Sequence, residues 1–284
     1  MIYNNYAYEA AISKYDSMII TESTSNEILE ECGLALNEGA IFDKIKELIN
    51  AIITAIKNFI QKVKDFFSNI KMKAATAKAK KALEKGYIKI SGGTIVMAKK
   101  EAYYNEDDDD YKKDDGKIHI AVSTKDLKQA LKMNQDLFMS SNTANRLFES
   151  DKEKFVSRFS SLKDDIKKSC DDLYEFHEKL YNTDIVIKDT SELNDLIRTD
   201  IVSVTDRISY SEKSLSRISR LTGYGDSKDE IDSTESTANK LYIDLLYAQK
   251  RGLNAFMNIC KLYLRGVSTT VCKLASLTKY NSTF

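Results

Sequence analysis

Residues 41–70 read IFDKIKELINAIITAIKNFIQKVKDFFSNI. Phe42, Ile45, Ile49, Ile52, Ile56, Phe59, Val63, Phe66 and Ile70 recur at alternating spacings of three and four. That is the a/d pattern of a helix burying one seam. A second row, Ile53, Ile60 and Phe67 with Ile41 and Leu48, widens the apolar face beyond a two-stranded seam. The helix therefore expects more than one neighbour, or a broad surface. At about 1.5 Å per residue it extends roughly 45 Å. Its fourteen large apolar side chains represent on the order of 20–40 kcal/mol when fully buried, so this face requires a cover. The spacing predicts one continuous helix over 41–70, with Lys44, Lys46, Lys57, Lys62 and Lys64 on its polar face.

Working outward, residues 1–40 form an acidic leader with seven acids against Lys14. Residues 41–86 hold the basic helix and a Lys-rich extension, KMKAATAKAKKALEKG, of high helix propensity and low apolar content. Residues 87–122 change period. YIKI and TIVM, joined by Ser91, Gly92 and Gly93, predict a β-hairpin, and KIHIAV at 117–122 is a candidate third strand. From 123 to 284 the helical period returns. Phe155, Phe159, Leu162, Ile166, Leu173, Phe176 and Leu180 share a frame whose one polar member is Ser169. Ile197, Ile201, Val204, Ile208, Leu215 and Ile218 share another, interrupted at Ser211. A third set, Leu241, Leu245, Ala248, Gly252, Ala255, Ile259 and Leu262, contains small residues that let helices approach closely. Turn signals lie at YNTD (181–184) and LTGYGDSKD (221–229). The expected fold is mainly α: a long-helix bundle or coiled coil with a small β-hairpin or three-stranded insertion.

Composition agrees. The 284 residues include no proline, where average usage would give roughly 14, and proline is the residue least compatible with helix interiors. The net charge of zero conceals segregation, because eleven lysines in 41–85 follow the acidic leader and precede eight acids in 101–116. Alternating blocks suit pairing within or between chains. The start, MIYNNYAYEAAISKY, lacks a basic segment followed by an apolar run, so it does not read as a secretory signal. No stretch approaches 18 consecutive apolar residues, so no transmembrane helix is expected.

No chemistry-bearing motif in the chain meets the spacing or setting that its chemistry requires. Cys32, Cys170, Cys260 and Cys272 show no CxxC pair. Cys170 and His177 would stand roughly 10 Å apart along one helix, too far for a dyad. His119 alternates with Ile118 and Ile120 on a candidate strand, which suits a structural role. In NEDDDDYKKDDG, counting from Asp110 puts Lys112 at position 3 and Asp115 at 6, where a calcium loop needs an acid and a glycine. Neither Ser91-Gly92-Gly93 nor Gly223-Tyr224-Gly225 precedes GK[ST]. The expectation is a non-enzymatic protein with no metal, no cofactor and no small-molecule substrate.

Three uses compete for the basic helix: an internal or homo-oligomeric seam, an interfacial helix on anionic membrane, and a nucleic-acid surface. Nucleic acid is disfavoured because the lysines lack interleaved arginines or a recognised motif. One short motif adds a family resemblance. The leader ends Leu36-Asn37-Glu38-Gly39-Ala40, and Leu-x-Glu before a small residue resembles the sites cut by prohead maturation proteases of large tailed bacteriophages. With the acidic start, lysine-rich helix and helical remainder, the chain resembles virion or internal head proteins of such phages. The resemblance implies a structural or head-packaged protein in the virion or host cytoplasm, assembling with itself or other virion proteins, with Leu36, Glu38 and Gly39 at a processing site. The alternative is a membrane-perturbing or ejection protein acting through residues 41–70.

Overall fold

The computed structural model describes residues 38–97, 116–198, 202–221 and 233–280. In chain order these form α1 (Glu38–Ser68), α2 (Ile70–Glu84), β1 (Ile88–Ser91), β2 (Thr94–Met97), β3 (His119–Ile120), α3 (Thr124–Ser150), α4 (Lys152–Ser157), α5 (Phe159–Tyr181), β4 (Ile185–Val186), α6 (Thr190–Arg198), α7 (Val202–Leu221) and α8 (Ser233–Tyr280). The architecture is mainly helical with small antiparallel β elements, as the periodicities lead one to expect.

The mast of the fold is α8, 48 residues long, or roughly 72 Å at the standard rise. It packs along α1, α2, α3, α4 and α5, while α7 fills the space beside α1 and α3. Cross-helix contacts fix the directions. On α3, Asn145 meets Tyr242 and Thr124 meets Tyr263, so α3 runs antiparallel to α8. Lys163 meets Asp244 and Asp171 meets Arg251, so α5 runs parallel to it. Phe138 meets Tyr210 and Glu149 pairs with Arg217, so α7 runs alongside α3 in the same direction. One contiguous core takes side chains from Ile41 to Leu274.

The helix expected to be continuous over 41–70 is broken at Asn69. Its side-chain oxygen accepts from the backbone N–H groups of Lys71 and Met72, at 2.9 and 3.4 Å, and so caps α2. Asn competes for local backbone donors in this way, which is why it favours caps over helix interiors. The break swings Ile70 out of the stripe, leaving it 83% exposed. A second break at Arg158 separates α4 from α5, with Phe155 before it and Leu162 after it both buried. On α5 the buried face is Leu162, Ile166, Cys170, Leu173, Phe176 and Leu180, the expected frame with Cys170 in place of Ser169.

The hairpin forms as expected, with Ser91 opposite Thr94. Gly92 and Gly93 take φ of 57° and 84°, the pair of left-handed residues that a two-residue turn with the correct twist demands. The candidate third strand does not join it. β3 pairs instead with β4, Ile120 opposite Ile185, and this two-residue ladder makes a second sheet. The chain leaving α5 brings Ile185–Val186 alongside β3, where a pairing 65 residues away in sequence is also closed by His119 Nδ1 and the Asp184 carboxylate. The two sheets are tied by Gly93 N–H to the Lys188 carbonyl and Ile95 N–H to the Gly116 carbonyl.

Candidate functional site

The stripe on α1 is the first candidate. Ile45, Ile49, Ile52, Ile56, Phe59, Val63 and Phe66 are buried and Phe42 is half-buried, covered by α7 and α8. The second row behaves alike: Ile41, Leu48 and Ile53 are buried, with Ile60 and Phe67 partly so. The face therefore serves as a seam inside the chain, and Ile70 alone among the nine stripe positions is exposed.

The lysines lie on the opposite side. Lys46, Lys57, Lys62 and Lys64 are exposed and Lys44 is half-buried. Lys44 pairs with Glu47 at 3.2 Å and Lys57 reaches Glu212 of α7 at 3.6 Å. Such exposed pairs contribute little to stability. At the expected processing site, Leu36 falls outside the described residues, while Glu38 and Gly39 lie in the first turn of α1.

A second candidate joins α3, α7 and α8. Asn145, 2% exposed, accepts at Oδ1 from the Tyr242 hydroxyl at 2.8 Å and from Gln249 Nε2 at 3.5 Å. Its Nδ2 donates to Ser214 Oγ at 3.1 Å, and that hydroxyl donates to Asn142 Oδ1 at 3.2 Å. One amide thus links three helices. Burying these groups would be costly unpaired; paired, they fix the axial register of the helices they connect. Beside this hub a narrow crevice is lined by Ser141, Asn142, Ser211, Ser214 and Gln249. Phe138 also lines it, with its ring centroid 6.3 Å from that of Tyr210; Met139 and Tyr210 are exposed, and Lys213 Nζ lies 5.5 Å from the Tyr210 ring centroid. Ser211 was legible in sequence as a gap in its frame. Asn145 and Ser141 were not, because a polar residue on a buried face looks the same as one on a frame drawn one position off.

At the α3–α4 corner, Lys152 Nζ sits 3.5 Å from the Phe148 ring centroid and donates to Asn239 Oδ1 at 3.1 Å. Phe148 in turn stacks on Tyr242 at 3.9 Å. Burial lowers the Lys152 pKa from 10.5 to about 8, with Glu235 partly offsetting it. Lys261 falls to about 8 as well, first from burial and then from the neighbouring Lys62. Burial pushes the Cys170 thiol up from 9.0 to about 12 and Cys272 to about 11, and raises Cys260 too. These thiols are poor nucleophiles at neutral pH.

The shifts predict a pH profile. Above pH 8 the unfolded chain holds lysine protons that the native state has lost, so stability rises with pH. Above about pH 9 the unfolded chain loses thiol protons that the native state keeps, and stability falls. The melting midpoint is therefore expected to rise from pH 8 to a maximum at about 9 and then decline, and the Lys152→Met/Lys261→Met variant should lack the rise. A midpoint already falling between pH 8 and 9 in the parent chain contradicts these shifts.

His177 lies by Glu178 at 3.4 Å, and Cys170 donates to the Ala248 carbonyl at 2.8 Å, so the two are spent on separate partners. Among the described residues no group of three or more His, Cys, Asp or Glu side chains is placed to hold a metal ion, and no helix is long and apolar enough to cross a membrane. Compared with family models, curated proteins and solved structures, the chain matches none.

Proposed function

We propose that this chain is a non-enzymatic structural protein working through helical surfaces, of the kind carried in the heads of large tailed bacteriophages. The observation that supports this reading most is the use of its two most apolar helices. The α1 stripe buries against both α8 and α7, which makes a stiff building block. Self-association, or contact with other virion proteins, then falls to outer positions such as the exposed Met139, Tyr181 and Tyr210. The protein would reside in the virion or the host cytoplasm, needing neither cofactor nor small-molecule substrate.

Two measurements test it. In protein extracted from its native source, intact mass is expected to lack residues 1–38, the product of a cut between Glu38 and Gly39. In sedimentation, the full chain is expected to form oligomers at tens of micromolar that a Met139→Ser/Tyr210→Ser variant weakens. A full-length mass together with a clean monomer, unchanged in the variant, would sink the reading.

A second reading, membrane perturbation, draws on the amphipathic layout of α1, with four of five named lysines exposed and the greasy side held inward. It requires α1 to leave α7 and α8. Leakage from anionic vesicles should then exceed leakage from neutral ones, and equal leakage argues against it.

A further inference from the structure

The crevice beside Asn145 contains an unfinished hydrogen-bond network. Ser141, 7% exposed, has its Oγ buried with no hydrogen-bond partner. Its neighbours on α3 behave differently: Thr143 donates to the Met139 carbonyl and Ser150 to the Arg146 carbonyl, one turn back in each case. A helical serine has that option, and Ser141 does not use it. Its hydroxyl lines the crevice. Ser211 of α7, 8% exposed, lines the same crevice. Gln249 of α8, 2% exposed, lines it as well and uses its Nε2 toward Asn145 at the limiting distance of 3.5 Å. Two serines and a glutamine from three helices thus line one small space, with the Ser141 hydroxyl unpartnered in it.

We propose that this space is a specific site for a single ordered water, which takes the Ser141, Ser211 and Gln249 groups as partners and fastens α7 to α3 and α8. The chemistry selects water. Three polar partners match the roughly three hydrogen bonds that a buried water makes, and both hydroxyls can donate or accept. Size agrees, since the interior admits about one water-sized sphere. The consequence is mechanical: α7 packs against α1 with Val204, Ile208 and Ile218 buried, but meets α3 and α8 partly through solvent.

Melting of serine variants of the full chain tests this, with crystallography as an independent readout. If the water is present, Ser141→Ala removes one of its partners and lowers the melting midpoint by about 2–4 °C. Ser141→Val, which displaces it, lowers the midpoint further and speeds amide exchange in α7. Ser141→Ala and Ser211→Ala then act non-additively, because they share the same partner. If the crevice is dry, Ser141→Ala deletes an orphaned hydroxyl and Ser141→Val fills a void, so both midpoints hold or rise, and the proposal is overturned. A high-resolution crystal structure should show a density peak within hydrogen-bonding distance of Ser141 Oγ and of Ser211 Oγ or Gln249 Oε1. An empty crevice there, or Ser141 turned back to the Leu137 carbonyl, refutes it.

Discussion

Ile52→Asp is expected to unfold the chain. Ile52 is 1% exposed at the middle of the α1 stripe, with Ile49 and Ile56 on neighbouring turns at 0%. The substitution removes an aliphatic side chain worth about 1.5–3 kcal/mol when buried and puts a carboxyl into the hydrophobic core. Even if the carboxyl protonates to escape its charge, a buried polar group without a partner costs more again. The sum is about 4–5 kcal/mol or more, a large share of the roughly 5–15 kcal/mol that holds a domain together. Circular dichroism should show lost helix, and denaturant titration a collapsed midpoint. The control is Ile70→Asp in the same repeat, which should shift stability by no more than about 0.5 kcal/mol because Ile70 is 83% exposed. A folded, monomeric Ile52→Asp chain would mean that the stripe meets other molecules and not its own core.

Gly252→Val is the second large effect. A Cβ on Gly252 would lie 2.7 Å from Leu137 Cδ2, 2.8 Å from Cys170 Sγ and 3.4 Å from Cys170 Cα. The leucine methyl can turn aside. The sulfur cannot easily do so, since it donates to the Ala248 carbonyl on the same face of α8, and the α carbon moves only if α5 moves. Alanine alone gains up to about 1 kcal/mol in helix propensity yet is expected to lose about 1–3 kcal/mol net through overpacking. Valine, with two more methyls, is expected to cost about 3 kcal/mol or more. The reference is Gly266→Ala, where the nearest atom is Ile120 Cγ2 at 3.2 Å and a small side-chain shift suffices. Urea midpoints at constant slope measure all three. A Gly252→Ala chain as stable as the parent would show that α3, α5 and α8 are less tightly joined than their spacing implies.

Both effects trace to features partly visible in the sequence. The Ile and Phe spacing of residues 41–66 announces a buried face, because a helix places every third or fourth residue on one side whatever surrounds it. Gly252 within a row of small residues announces a close approach. Neither states what lies opposite. The same limit applied to Ser169 and Cys170: between Ile166 and Leu173 the steps three-then-four and four-then-three both stay on one helix face, and only the packing puts Cys170 in the seam. It applied also to KIHIAV, whose alternation marks a strand without naming its partner.

The sequence by itself determined the helical class, the hairpin with its two glycines, the sidedness of α1 and the segregation of its lysines. These follow from local periodicity and from backbone preferences that act over a few residues. Tertiary structure alone decided that α7 and α8 cover the stripe, that β3 pairs with β4, and that Asn145 links Ser214, 69 residues away, to Tyr242, 97 residues away. Contacts at such separations depend on how several amphipathic faces share one core, and a face's period carries no record of which other face it meets.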